Sequence, residues 1–246
     1  MNTKIGVFDS GIGGITVLKE CIKKCPNFSY IYYSDSKNNP YGEKSESELI
    51  SIVDNIVMKL IDRGCKIIII ACNTASGVCV SYLRDKYKNI IFIAIEPAIK
   101  VSYDKDIEGT TLVMATKATL NSAKFSNLYS RFKDSKKYYL LECNGLAHLI
   151  EENDPEKIQA YLEDILSKYK GKVDSVVLGC THYPLIKKEI ASVLGNIKFY
   201  DGSEGLSRRL QKIIEDNKVK RKTFNIEFID SNNDLEKSKR FFELLP

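Results

Sequence analysis

Nine short apolar runs, each too brief for a packed helix, recur along this chain between longer amphipathic stretches. They read KIGVF (4–8), YIYYS (30–34), KIIIIA (66–71), IIFIAI (90–95), TTLVMA (110–115), KYYLLE (137–142), DSVVLG (174–179), IKFY (197–200) and FNIEFI (224–229). Several are apolar without alternation, the pattern of strands covered on both faces. Helical periodicity fills the gaps. In 46–63, Leu49, Ile52, Val53, Ile56, Leu60 and Ile61 fall on one face. Segments 155–169 and 203–216 behave alike, and Asp154 before Pro155 reads as an N-cap followed by an N1 proline. Strands alternating with helices predict an α/β fold of parallel, doubly wound sheets. So many strands exceed one small sheet, which predicts two lobes. Glu96-Pro97-Ala98 and Gly202-Ser203 each follow a strand and are the expected crossovers. Lobe one is then expected to be 1–96 plus 203–246, and lobe two 97–202.

Charge narrows the partners. The chain has 37 basic and 32 acidic residues in 246 and a net charge of +5, too even a balance to imply nucleic acid. Its densest basic run, Lys218, Lys220, Arg221 and Lys222, reads as a solvated loop. The opening MNTKIGVFDSG is interrupted at once by Asp9 and has no signal pattern. No apolar stretch approaches the roughly 20 residues of a membrane helix. A cytoplasmic location without membrane contact is expected. The cysteines (21, 25, 65, 72, 79, 143 and 180) are odd in number and irregularly spaced, with no CxxC. That argues against a disulfide framework. The two histidines, 148 and 182, follow no ligand spacing, so no metal is expected. Cys21, Cys25, Cys65 and Cys79 read as small buried hydrophobes.

Two cysteines stand apart. Cys72-Asn73-Thr74 follows the isoleucine run, and Cys180-Thr181-His182 follows VVLG. Each stands at the expected carboxyl end of a strand, where open α/β sheets bind ligands. A thiol there, ahead of a helix N-terminus, is predicted to have a pKa lowered from about 8.5 toward neutrality. One such cysteine would suit a Cys-His hydrolase. Two with matched contexts suit inversion of a stereocentre, in which one thiolate removes a proton and a thiol on the opposite face returns one. A carbanion α to a carboxylate then needs oriented donors in a dry cleft. Ser10, Asn73, Thr74 and Thr181 are plausible donors. Two further turns join them. Asp9-Ser10-Gly11-Ile12-Gly13-Gly14 is a glycine-rich strand-to-helix turn whose N–H groups suit an anion. It lacks the spacing of a dinucleotide fingerprint or a P-loop, though it could pass for an actin-like phosphate loop. Asn38-Asn39-Pro40-Tyr41-Gly42 is a loop at another strand end.

The stretches IGVFDSGIGG (5–14), NPYGEKS (39–45), ACNTAS (71–76), EPAIK (96–100), ATKAT (115–119) and LGCTHYPL (178–185) together resemble the aspartate/glutamate racemase family, and within it the glutamate racemases. They span most of the chain in family order. The resemblance implies two flavodoxin-like lobes with a cleft between them. It implies Cys72 and Cys180 as the opposed acid/base pair, with Asp9 and His182 as helpers. Substrate contacts are implied at Asp9, Ser10, Pro40, Tyr41, Gly42, Asn73, Thr74, Thr116, Thr119, Thr181 and His182. It also implies glutamate as substrate, no metal, no pyridoxal phosphate or other cofactor, a homodimer, and supply of D-glutamate to bacterial peptidoglycan. Two segments depart from the family pattern. Ser36-Lys37-Asn38-Asn39 stands where an arginine usually precedes Pro-Tyr-Gly, and 142–151 reads ECNGLAHLIE rather than the usual proline-containing loop. His148, within the latter, reads as a loop or surface residue. Competing readings are an aspartate racemase, a Cys-His hydrolase or amidase that leaves one cysteine motif unexplained, and a two-lobe amino-acid-binding protein.

Overall fold

Every apolar run becomes a strand, and the strands sort into two parallel sheets. The computed structural model describes residues 3–106, 108–221 and 223–245; Lys222 of the basic run lies outside them. The strands are β1 (Lys4–Asp9), β2 (Ser29–Ser34), β3 (Cys65–Ile70), β4 (Ile91–Ala94), β5 (Thr111–Ala115), β6 (Tyr138–Glu142), β7 (Ser175–Leu178), β8 (Lys198–Tyr200) and β9 (Asn225–Asp230). One sheet has the order β4-β3-β1-β2-β9 and the other β6-β5-β7-β8. All pairings are parallel, so every carboxyl end within a sheet lies on one edge.

The isoleucine run shows why its strand does not alternate. Ile67 and Ile69 pack with Ile5 and Val7 on one face, while Ile68 and Ile70 pack with Phe8 on the other. Helices cover both faces, so every position is apolar. Gly6 admits the close neighbours of β1: a Cβ there would lie 3.2 Å from Leu60 Cδ1 and 3.3 Å from Cys65 Sγ. β9 is an edge strand and correspondingly only half-buried. In the second sheet, Leu112, Met114, Val176 and Leu178 face one core, and Val113 and Val177 the other.

The expected helices form at Glu46–Asp62, Pro155–Leu166 and Ser203–Asp216, the second ending in a 3-10 turn at Ser167–Tyr169. Asp154 is the N-cap, accepting from the Lys157 N–H at 3.1 Å, with Pro155 behind it. A helix not foreseen from the sequence, Leu235–Leu244, closes the chain. It docks through Phe241, fully buried, whose ring lies 4.8 Å from Tyr32 and 4.3 Å from Phe228. The two segments that pass between the sheets touch each other, since Gly202 backs directly onto the Glu96 carbonyl. Among the described residues no helix is long and apolar enough to cross a membrane.

Candidate active site

Register brings the chemistry together. Asp9 ends β1 opposite Ser34 of β2, and Phe8 pairs with Ile70 of β3, so Asp9-Ser10 and Ala71-Cys72 leave adjacent strands side by side. Cys180 leaves β7 of the other sheet, after Gly179 packs against Met114 O and Ala115. One cleft is lined by Ser10, Pro40, Tyr41, Gly42, Cys72, Asn73, Thr74, Thr116, Cys180 and His182. Asp9, Thr119 and Thr181 stand one layer behind it, nearly or fully buried. All the expected site residues therefore converge, in two tiers.

Each thiol has its own surroundings. Cys72 caps the helix Asn73–Lys86, accepting from the Ala75 N–H at 3.5 Å, and its Sγ lies 4.0 Å from Ser10 Oγ. That cap favours a thiolate, but it does not win. Burial, reinforced by Asp9, pushes the Cys72 thiol up, not down toward neutrality as the sequence suggests. Desolvation of a buried sulfur outweighs one long N–H contact. Cys180 differs from its expected context as well. A 3-10 turn, Tyr183–Ile186, follows it before the helix Lys187–Leu194, so no α-helix starts at the thiol. Its partner is His182, with Nδ1 3.6 Å from Sγ. Cys143 also lines the cleft, and burial pushes it up to about 12.

The glycine-rich turn is already neutralised from within. Asp9 Oδ2 accepts from the N–H groups of Gly14 (3.0 Å) and Gly11 (3.3 Å), and Ile12 N–H donates to Glu151 Oε1 at 2.6 Å. The donors that suggested an anion site are satisfied by the protein's own carboxylates. Asp9 Oδ1 accepts from Thr181 Oγ1 at 3.1 Å, bridging the two sheets. Burial raises the Asp9 pKa, with His182 pulling the other way.

Glu151 is the residue that sequence reasoning missed. It sits in the divergent 142–151 segment, on the short helix Leu146–Glu152. Its Oε1 lies 2.6 Å from His182 Nε2. Burial opposes its charge, but His182 and then Lys237 outweigh burial and pull its pKa down to about 2. Burial likewise opposes charge on His182, yet its contacts with Cys180 and Glu151 hold its pKa well above the ordinary imidazole value. The imidazole thus bridges a buried carboxylate and the Cys180 sulfur. His148 shares the Leu146–Glu152 helix, is exposed, and pairs with Glu152 at 3.4 Å.

The donors sit opposite. Thr74, Thr116 and Thr119 form a hydroxyl cluster with contacts of 3.0, 3.4 and 2.9 Å. Asn73 lines the cleft with Oδ1 buried and without a hydrogen-bond partner. A buried amide oxygen left without a donor is costly, so this one points to a ligand that carries an N–H or O–H group. Tyr41 presents backbone rather than hydroxyl, since its OH donates to Asp35 Oδ2 at 2.7 Å. Among the described residues, no group of three or more His, Cys, Asp or Glu is placed to hold a metal ion.

Comparison with known proteins agrees with this geometry. The model of the Asp/Glu/Hydantoin racemase family matches residues 15–206. The chain belongs to that family. A glutamate racemase of Clostridium acetobutylicum is 44% identical over 217 residues, covering 87% of this chain and 85% of that one. One from Clostridium perfringens is 41% identical, covering 99% and 97%. Among solved structures, Escherichia coli glutamate racemase in complex with L-glutamate and the activator UDP-MurNAc-Ala superposes with a TM-score of 0.86 at 28% identity, covering 98% of this chain and 96% of that one. The Francisella tularensis enzyme in complex with D-glutamate gives 0.83 at 30% identity, covering 99% and 95%. Both sheets and the cleft between them are thus the architecture of racemases in this family.

Proposed function

We propose that this protein is a cofactor-independent glutamate racemase. One observation carries the reading: two cysteines, from strands of two different sheets, line a single cleft beside an unpartnered buried amide. One thiolate removes the α-proton of glutamate, and the thiol on the opposite face delivers another. The roles exchange when the other enantiomer binds. At rest Cys72 is the protonated member, because burial and Asp9 disfavour its charge. Cys180 faces His182, whose Nδ1 lies 3.6 Å from its sulfur. Asp9 and His182 act as helpers behind the sulfurs. Thr74, Thr116, Thr119 and the Asn73 Nδ2 hold the α-carboxylate as negative charge develops on it, while Asn73 Oδ1 accepts from the α-ammonium. Ser10, Thr181 and the Pro40-Tyr41-Gly42 backbone complete the grip on the substrate.

On this reading the lobes divide at 1–96 with 203–246 against 97–202. The enzyme works as a cytoplasmic homodimer supplying D-glutamate for peptidoglycan. The test is to incubate L- and D-glutamate separately in deuterated water without added cofactor. Optical rotation should decay, with one α-deuterium in each inverted molecule. Absence of both changes would overturn the reading, and faster turnover of aspartate would overturn the substrate.

A further inference from the structure

Glu151 is held from three sides, and one of them lies in a part of the chain remote from the cleft. Lys237, on the closing helix Leu235–Leu244, places Nζ 2.7 Å from Glu151 Oε2. The two form an ion pair. The same Nζ donates to Ser36 Oγ at 2.8 Å, and Ser36 Oγ donates to Asp230 Oδ2 at 2.5 Å. Ser36 opens the segment that leads to Pro40-Tyr41-Gly42. One turn further along the closing helix, Arg240 donates to the carbonyls of Glu151 (3.0 Å) and Ile150 (3.1 Å) at the carboxyl end of the Leu146–Glu152 helix, the latter carbonyl also accepting from the Asn153 N–H. The pair at Glu151 is largely sequestered, with side-chain exposures of 15% for Lys237 and 6% for Glu151, so solvent screens it little.

We propose that Lys237 is a positioning residue for Cys180, acting through Glu151 and His182. A carboxylate shared between His182 and a mobile side would let the imidazole drift. Fixed by Lys237 on Oε2 and by Ile12 N–H on Oε1, Glu151 has one orientation, and His182 Nδ1 is aimed at the sulfur. The closing helix thereby enforces the geometry of one of the two thiols, and among the described residues no hydrogen bond or ion pair links it to Cys72 in this way. The charged groups around Glu151 are His182, Lys237, Arg240 and Asp9. Among the charged groups of the described residues, Lys237 is the one that contacts its carboxylate from outside the cleft.

The inference rests on the racemase reading for its catalytic meaning, but its test does not. Rates of alkylation of Cys180 and Cys72 by iodoacetamide are read by peptide mass spectrometry in the intact protein, in Lys237→Met and in Lys237→Arg. Loss of Lys237 is expected to slow Cys180 by about fivefold, because its imidazole partner loses its anchor, and to leave Cys72 unchanged. Arginine is expected to restore most of the rate. Equal effects on both cysteines, or none on Cys180, would overturn the proposal whether or not the protein racemises glutamate. In turnover, Lys237→Met should lower kcat by about tenfold. It should also make the α-deuterium isotope effects unequal for the two enantiomers, being larger for the one deprotonated by Cys180. Symmetric isotope effects would likewise overturn it. Failure of the wild type to racemise would instead fall on the proposed function.

Discussion

A sulfur largely stripped of water is a weak acid, and Cys72, 5% exposed in the wall of the cleft, is such a sulfur. Its cost of ionisation is desolvation plus the proximity of Asp9. Cys180 has the imidazole of His182 beside it, with Nδ1 3.6 Å from the sulfur. Replacing either by serine keeps the shape and removes the acid/base group. Each substitution should lower racemisation by about 10²- to 10⁴-fold. The surviving thiol should still exchange the α-proton of one enantiomer without inverting it. Proton NMR in deuterated water reads this directly, and exchange of both enantiomers in either variant would contradict the pairing. Glu151 makes a different prediction. Its pKa is pulled down to about 2 in the folded chain and returns to about 4.5 on unfolding. Its ion pairs therefore stabilise the protein fully above about pH 4.5, and that contribution fades as pH falls toward 2, worth about 3 kcal/mol in all. Urea midpoints measured from pH 6 to 3 should fall steeply in the wild type and more gently in Glu151→Gln. Parallel slopes would refute it. Both cysteines are legible in the sequence because each ends an apolar run. The direction of the Cys72 pKa is not, since burial is a property of the fold. Nor is Glu151, which meets His182 across 31 residues of chain with no local pattern to announce it.

At the scale of the element, the turn after β1 shows how closely backbone and site are fitted. Gly13 and Gly14 are neighbours with different duties. A Cβ on Gly13 would lie 2.6 Å from His182 Nδ1 and 2.7 Å from Cγ, so alanine there must turn the imidazole. A Cβ on Gly14 would lie 2.6 Å from the Tyr32 hydroxyl, 2.7 Å from Asp9 Cβ and 3.1 Å from Ala71 Cβ, wedged between strands. Gly13→Ala should cost activity by about tenfold or more, more than Gly14→Ala does, and should also lower the melting temperature, because the imidazole it displaces is buried and held by Glu151. Gly14→Ala should destabilise by about 1–3 kcal/mol, as overpacking does. Calorimetry and initial rates on the two variants separate the effects, and the reverse ranking would show the turn to be misread. The strands themselves are legible because two-sided burial demands unbroken apolar runs. The closing helix is not, for LEKSKRFFEL buries only Phe241 completely and leaves Leu235 82% exposed, too thin an apolar face to stand out.

Across the whole molecule, the two sheets meet through few and polar bonds at the cleft. Thr181 reaches Asp9, Thr74 reaches Thr116 and Thr119, and Glu151 reaches Ile12. Such bonds join residues far apart in sequence, so no periodicity or spacing foretells them, although the strand ends that carry them are foretold. A ligand in the cleft adds contacts to both sides at once and binds only the folded form. Glutamate at 100 times its Kd should therefore stabilise the protein by about 2.7 kcal/mol. For a chain of this length that is a rise in Tm of roughly 5–10 °C. The double variant Cys72→Ser, Cys180→Ser prevents interconversion, so each enantiomer can be scanned alone, and both should raise Tm because the donors around the α-carboxylate are shared. Adding Asn73→Ala removes the amide whose Oδ1 lacks a partner, and should abolish most of the rise while barely moving the ligand-free Tm. A rise that survives Asn73→Ala would mean that glutamate is held elsewhere in the cleft. No rise with either enantiomer would separate this cleft from glutamate altogether.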